Sequence, residues 1–227
     1  MLKLIVTASG SDGNAYTLSD NDNNCLLIEA GKGTFESVLR TIPDIKKIHG
    51  LLASHSHQDH AGDIPKFEKY RIPVFLSDYL VHGEQFEVGP YSVIPVNVNH
   101  DDTHCQSFFI RHNEENKTIF FCTDAMSYTR VIGAVGILDA AFIECNHEAH
   151  RLDTNTKYPV ELRQRISRSH TSLQRCAMAV QQSKCQKFVL LHASKQNIDI
   201  EAALEYLRSE FPNRSFEFAR PGLVVEV

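Results

Sequence analysis

The sequence has 227 residues, of which 42% are hydrophobic and 22% charged, a balance typical of a soluble globular protein. Its 23 basic and 28 acidic residues give a formal net charge of -5, which argues against a broad surface that coats nucleic acid. A local basic groove or bound cations would still be compatible with this charge. The length suits one domain with a well-formed core, so we expect residues 1–227 to form a single domain.

The cysteines and the N-terminus predict a cytoplasmic protein. No Cys-x-x-Cys pair occurs, and several cysteines lie in apolar runs, so we expect buried free thiols in a reducing compartment. The apolar run at residues 1–7 is too short for a signal peptide, and no segment is long enough to cross a membrane. We therefore expect that the protein has no membrane partner and is not a secreted antibiotic-degrading enzyme.

The first elements in the chain are predicted to be strands. Residues 2–7 alternate loosely between apolar and polar side chains, and 8–14 form a turn-rich loop with glycines. Residues 16–18 and 25–28 are typical of a strand pair, and the apolar run at 48–53 predicts a further strand.

The remaining elements alternate between strands and helices. Residues 108–112 and 117–121 are typical of a hairpin, and the apolar runs at 138–145 and 187–191 predict buried strands. Helical spacing of apolar residues follows residue 172 and recurs at 199–211.

One segment, Ser54 to His60, carries the strongest chemical signal in the sequence. Three histidines and one aspartate occur there directly after the apolar strand. In an extended chain the side chains of His55 and His57 leave on the same side, so both imidazoles can reach one ion. Asp59 and His60 lie past the bend, where they can reach a second ion. The alternative is an exposed polar loop, but imidazole and carboxylate groups in this pattern favour a zinc site, with iron or manganese also suited.

The pattern His-x-His-x-Asp-His resembles the signature of the metallo-β-lactamase superfamily of hydrolases. Gln58 stands where the redox branch has a glutamate ligand, so the resemblance is to hydrolytic members. The loop at residues 9–14 is similar to that of a branch with small cyclic phosphodiesterases and exonuclease-like proteins. The resemblance implies an α/β fold, a four-layer αβ/βα sandwich with two mixed sheets face to face and metals at one sheet edge.

The resemblance also implies two divalent metal ions, with Zn²⁺ expected and Mn²⁺ or Fe²⁺ as alternatives. It assigns His55, His57 and His100 to the first ion, Asp59, His60 and His192 to the second, and Asp124 to a bridging position. His100 is preferred because Asp101 follows it directly, and His104 is the alternative ligand. Glu29 stands where the family has an aspartate that braces the metal loop, which leaves that role open.

The implied chemistry is attack by a metal-bridging hydroxide, with Asp59 accepting its hydrogen bond. A phosphodiester has a poor leaving group, so a proton donor is expected. His170 is the first candidate, because its His-Thr-Ser context is similar to a catalytic motif of the phosphodiesterase branch. His147, in an Asn-His-Glu motif, is the second candidate. Either histidine could instead cap a helix or support the ligands.

We therefore predict a dinuclear metal-dependent hydrolase, a phosphodiesterase or nuclease that acts on a nucleic acid end or a small cyclic phosphate. An aspartate at position 124 supports this side of the superfamily, since β-lactam-hydrolysing branches commonly carry cysteine there. A glyoxalase II-like thioesterase is the alternative enzyme, and a non-catalytic metal-binding scaffold is the alternative outside catalysis. The oligomeric state is left open.

Overall fold

The computed structural model of the protein describes residues 1–101 and 103–227. Two β-sheets form its centre. In chain order the strands are β1 Lys3–Ala8, β2 Ala15–Ser19, β3 Cys25–Ile28, β4 Ile48–Ala53, β5 Val74–Leu76, β6 Phe86–Val88, β7 Tyr91–His100, β8 Thr103–His112, β9 Lys117–Cys122, β10 Ala140–Glu144, β11 Lys187–Leu191, β12 Ser215–Phe218 and β13 Val224–Glu226.

Both sheets are mixed. The first has the order β13-β1-β2-β3-β4-β5, in which β3, β4 and β5 run parallel. The second has the order β12-β11-β10-β9-β8-β7-β6, in which β9 to β12 run parallel and β6 to β9 antiparallel. The carboxyl ends of parallel strands meet at one edge of a sheet, where ligands commonly bind in open α/β folds.

The helices connect these strands. They are α1 Phe35–Thr41, α2 Gln58–Ala61, α3 Ile64–Glu68, α4 Thr129–Gly133, α5 Ala149–Asp153, α6 Val160–Ser169, α7 Leu173–Gln182 and α8 Ile200–Glu210. Short 3-10 helices at Ile45–Lys47 and Ser77–Tyr79 precede β4 and follow β5. None of the helices in the described part of the chain has the length and apolar character needed to cross a bilayer.

The core has three parts that define the layers. Between the sheets, residues such as Leu4, Ile28, Phe108 and Phe142 form one buried cluster, so the two sheets pack face to face. On the outer face of the second sheet, side chains of β10 and β11 pack against α7 and α8. On the outer face of the first sheet, side chains of β3 and β4 pack against α1 and α3. This arrangement confirms the predicted αβ/βα sandwich.

The sequence pattern of each strand follows from its place in these layers. Every side chain of β10, which has helices on one face and the other sheet on the opposite face, is buried, and its sequence is almost entirely apolar. Burial alternates along most of β7, because one of its faces is open to solvent. The prediction that residues 1–227 form a single domain stays a prediction.

Candidate metal centre

The histidine-rich segment forms the loop after β4 and the first residues of α2. His57 has extended backbone, with φ -61° and ψ 149°, and α2 begins at the next residue. His55 and His60 are fully buried, and His57 is half-buried. The bend predicted between His57 and Asp59 is therefore the start of a helix, which turns Asp59 and His60 back toward the preceding histidines.

Seven side chains, here called the histidine–aspartate cluster, converge at this sheet edge. They form two separate groups, and within each group the candidate ligand atoms lie within 4.8 Å of one another. The groups are His55, His57 and His100, and Asp59, His60, Asp124 and His192. These are the residues that the sequence analysis assigned to the first ion, to the second ion and to the bridge.

Asp124 lies between the two groups. Its Oδ2 atom is 3.5 Å from His100 Nε2 and 3.2 Å from His60 Nε2, which belong to different groups. Its Oδ1 atom is 3.4 Å from His192 Nε2. The two carboxylate oxygens therefore face both groups at once, which is the geometry that a bridging ligand requires.

The buried imidazole nitrogens support a cation at this site. The Nε2 atoms of His55 and His192 are buried and have no hydrogen-bond partner among the residues that the structure describes. Buried polar atoms are normally paired, so such atoms facing a carboxylate fit the binding of a cation. Nitrogen and oxygen donors from histidine and aspartate suit Zn²⁺ and also Mn²⁺ or Fe²⁺. The residues present therefore fit divalent cations.

Partners at the second ring nitrogen orient several of these histidines. His100 Nδ1 donates to the backbone carbonyl of Ser169 at 3.0 Å, and His55 Nδ1 pairs with Ser54 Oγ at 3.0 Å. Both contacts leave Nε2 directed at the cluster. Such partners fix the ring orientation and the tautomer of metal-binding histidines.

Glu29 braces the loop in the same way, although it is one methylene longer than the aspartate of the family pattern. Its carboxylate accepts from the Ser54 backbone N–H at 3.3 Å and lies 3.4 Å from His60 Nδ1. Glu29, Asp124 and His192 all have left-handed backbone, with φ of 64°, 49° and 53°. Residues other than glycine rarely adopt this conformation, and such strain concentrates at functional sites.

The loop at residues 8–14 packs directly against the histidine-rich segment 54–60, here called the metal loop; residues 8–13 of the first loop are called the glycine loop. The Asn14 backbone N–H donates to the Asp59 carbonyl at 2.7 Å, and Asn14 Nδ2 lies 3.0 Å from His60 Nε2. A Cβ on Gly31 would be 2.2 Å from the Asp59 carbonyl and 2.6 Å from the Asn14 backbone nitrogen. Only glycine fits at position 31, so this residue allows the two loops to touch.

Electrostatics favours cation binding and makes it dependent on pH. Burial alone would lower the pKa of His192, but Asp124 and Asp59 outweigh burial and raise this pKa to about 10. Burial and the nearby His60 lower the pKa of His55 to about 2. A cation at Nε2 of His192 must therefore displace a proton, so we expect cation affinity to fall as the pH falls.

A further histidine–carboxylate pair lies against the cluster. His170 Nδ1 is 2.6 Å from Glu144 Oε1, and the His170 ring stacks on His192 with centroids 5.3 Å apart. The other oxygen of Glu144 accepts from the backbone N–H groups of Ala125 and Thr171. Burial alone would lower the pKa of His170, but Glu144 and Asp124 outweigh burial and raise it. The structure therefore brings His170 to the cluster.

His147 and His104 are not brought to the cluster. His147 is buried outside the candidate ligand groups of the described residues, and its Nδ1 lies 3.3 Å from Asn146 Oδ1. Burial lowers the pKa of His147 to about 4. His104 is on the surface, and its Nδ1 atom lies 3.8 Å from Asp78 Oδ1.

The cluster opens into a cleft of about 340 Å³, here called the metal cleft. Its walls are formed by Ser11, His57, Asp59, His100, Asp124, Tyr158, Leu162, Arg165, Ile166, Ser169, His170 and His192. Arg165 donates from Nε and Nη2 to Asp101 Oδ2, at 3.1 and 2.8 Å, and remains largely exposed. The sequence analysis assigned no role in the site to Glu144, Asn14, Tyr158 or Arg165. The signal that could have found Glu144 is a carboxylate at the end of an apolar strand, as at Asp124.

Comparison with known proteins agrees with this geometry. The model of the metallo-beta-lactamase superfamily matches residues 9–116. A protein named Exodeoxyribonuclease YycJ, from Bacillus anthracis, is 26% identical, with 73% of this chain and 70% of that protein covered.

Solved structures show the same fold. The metallo-beta-lactamase fold protein YhfI from Bacillus subtilis has a TM-score of 0.81 at 15% identity, with both chains fully covered. A diphosphatase from the PhnP family has a TM-score of 0.68 at 18% identity, with 100% of this chain and 98% of that chain covered. Human tRNase Z, short form, has a TM-score of 0.68 at 13% identity, with 99% and 98% covered.

Proposed function

We propose that the chain is a hydrolase of the metallo-β-lactamase superfamily that cleaves phosphodiester bonds with two divalent cations. The observation that carries the proposal is the position of the Asp124 carboxylate between two groups of histidines. A single cation would need one group, whereas a carboxylate facing both groups suits a pair of cations.

The proposed ligand set follows the two groups. His55, His57 and His100 would hold one cation, Asp59, His60 and His192 would hold the other, and Asp124, whose oxygens face both groups, would serve both. When bound, the cations supply Lewis acidity and lower the pKa of a water toward neutrality. Zn²⁺ is the proposed metal, with Mn²⁺ and Fe²⁺ as the alternatives to be resolved by elemental analysis.

Residues of the metal cleft have separate tasks in this proposal. Asp59, whose side chain is 25% exposed, faces the cleft and can accept a hydrogen bond that orients the attacking water. His170 is the proposed proton donor to the leaving oxygen. Because its Nδ1 is paired with Glu144, Nε2 is the nitrogen available to give the proton. Glu144 is buried and favours the protonated imidazole, which suits a general acid.

The names of the relatives support cleavage of phosphate esters. They include an exodeoxyribonuclease, a diphosphatase and a tRNase Z. The proposed substrates are accordingly a nucleic acid end or a small cyclic phosphate. A proton donor at His170 would favour a phosphodiester over a thioester, since a thiolate leaves without one.

The test is hydrolysis of bis-p-nitrophenyl phosphate by protein of known metal content, with S-lactoylglutathione assayed beside it. Asp59→Ala should lose more than about 100-fold of the diesterase activity, because it removes both a ligand and an orienting group. Asp78→Ala is the matched control, since Asp78 is an exposed aspartate outside the metal cleft. It should keep wild-type activity.

The other outcomes separate the alternatives. Cleavage of the thioester alone would replace the proposal with a glyoxalase II-like thioesterase and would remove the role given to His170. Two bound metals without cleavage of either substrate would contradict the proposal and favour a non-catalytic scaffold.

A further inference from the structure

A second cleft continues from the metal cleft. It has a volume of about 460 Å³ and shares Ser11 and Tyr158 with the metal cleft. One wall is the glycine loop at residues 8–13, and the other is the segment 193–196 after β11. The function proposed above uses only the metal cleft, so this second cleft has no role in it.

Tyr158 stands at the junction of the two clefts. It is half-buried and lies in the turn between α5 and α6. The turn is fixed because the Tyr158 backbone N–H donates to the Asn155 carbonyl at 3.3 Å, and Asn155 Nδ2 donates to Asn197 Oδ1 at 2.6 Å. The junction therefore holds an aromatic ring on an anchored backbone.

The walls of the second cleft offer donors for an anion. Among the described residues, the backbone N–H groups of Ser11 and Asp12 donate to no acceptor, and both residues are exposed. Lys195 is 80% exposed and pairs with Asp12. An exposed pair of this kind contributes little free energy, so a phosphate group can compete for the lysine.

We propose that the second cleft binds the nucleotide next to the scissile phosphodiester, with its base stacked on Tyr158 and its outer phosphate near Ser11 and Lys195. This inference rests on the proposed function, because it requires the scissile bond to lie at the metal centre. Stacking on an aromatic ring tolerates every base but requires a base that is not paired. The substrate is accordingly a single-stranded nucleic acid rather than a small cyclic phosphate, which would leave the second cleft empty.

The test compares two diester substrates with the full, metal-loaded protein. One is bis-p-nitrophenyl phosphate, which has no base, and the other is a single-stranded oligonucleotide. The measured quantity is the ratio of kcat/KM for the oligonucleotide to kcat/KM for the small diester. Tyr158→Ala should lower this ratio by about 5- to 150-fold, the range expected for the loss of one stacked base. Tyr158→Phe is the matched control and should keep the ratio, because it retains the ring.

A second measurement separates stacking from damage to the fold. An oligonucleotide with abasic nucleotides on either side of the cleaved bond should lower the wild-type ratio by the same factor. In Tyr158→Ala the abasic change should have no further effect, since both changes remove one interaction. Additive losses would mean that the ring has only a structural role and would overturn the inference.

The remaining outcomes distinguish this inference from the proposed function. If the wild-type protein cleaves the small diester but the ratio is unchanged in Tyr158→Ala, the inference is wrong and the proposed function stands. If the metal-loaded wild-type protein cleaves neither diester, the proposed function is wrong and the inference fails with it.

Discussion

Two regions of this molecule bury histidine against aspartate, and they differ in whether each buried polar atom has a hydrogen-bond partner. One is the histidine–aspartate cluster, and the other is the Asp20–His112 pair, which lies at the far end of β8. Thr103 and His112, at the two ends of this strand, are separated by about 30 Å of extended chain. Asp20, His112 and five of the seven residues of the cluster are nearly inaccessible to water, so residue type and burial alone do not distinguish the two regions.

The difference lies in the partners of each polar atom. In the Asp20–His112 pair, His112 Nε2 lies 3.1 Å from Asp20 Oδ2, and His112 Nδ1 accepts from the Glu115 backbone N–H at 3.1 Å. Asn24 donates from its backbone and its side chain to the two oxygens of Asp20. Every polar atom of this pair is used, so the pair is complete as it stands.

The histidine–aspartate cluster is not complete in this sense. Nε2 of His55 and of His192 has no hydrogen-bond partner among the described residues, although both atoms face Asp124. Unpaired buried polar atoms cost free energy unless something compensates them. The comparison teaches that the hydrogen-bond inventory, rather than the residue types, separates a structural brace from a cation site.

The largest effect is expected for substitution of Asp124, which lies between the two histidine groups of the histidine–aspartate cluster. Asp124→Ala removes the carboxylate that faces both histidine groups, so we expect bound metal to fall below two ions per chain and activity to fall more than about 100-fold. Metal content by mass spectrometry and hydrolysis of bis-p-nitrophenyl phosphate measure the two effects. Full metal occupancy with retained activity would contradict the bridging role of Asp124.

An intermediate effect is expected at Glu144, which is fully paired like Asp20 but lies against the cluster. Glu144→Gln removes the charge that favours protonated His170, so we expect kcat to fall by about 10- to 100-fold on an oligonucleotide. The loss should be smaller on bis-p-nitrophenyl phosphate, because p-nitrophenolate leaves without a proton. Metal content should stay at the wild-type value.

Equal losses on the two substrates would contradict the proton-donor role and leave Glu144 with a structural one. Comparing the two leaving groups therefore tests whether Glu144 acts in catalysis or, like Asp20, only stabilises the fold.

The metal loop could be predicted from the sequence because its information is local. Alternation in an extended chain already places His55 and His57 on one side, and the structure brings both to the cluster. The contributions of His100, Asp124 and His192 depend on how distant strands are ordered in the second sheet. Residue patterns do not encode that order directly, so these three required the resemblance to a known family.

Glu144 was missed for the same physical reason. Its role arises because β10 lies between β9 and β11, which places the end of β10 beside Asp124 and His192. The positions of His170 and His147 relative to the cluster also depend on the three-dimensional fold. Asn146 Nδ2 donates to the carbonyl of His192, and the neighbouring His147 is buried outside the cluster.

The smallest effect on catalysis is expected at the Asp20–His112 pair, in which every side-chain polar atom has a partner. Burial would raise the pKa of Asp20, but hydrogen bonds from Asn24 and His112 outweigh burial and lower it. Asp20→Asn removes the charge that these bonds stabilise, so we expect the free energy of unfolding at pH 7 to fall by about 1–3 kcal/mol. Activity and metal content should stay within about twofold, in contrast to Asp124→Ala.

The pH dependence of this loss tests its cause. Because the pKa of Asp20 is lower in the folded than in the unfolded chain, its stabilisation is complete above the unfolded value of about 4 and is lost as the pH falls through the folded value. The difference between wild type and Asp20→Asn in urea unfolding should therefore shrink below about pH 4. A difference that stays constant from pH 7 to pH 3 would mean that the shape of the side chain, and not its charge, stabilises this end of β8.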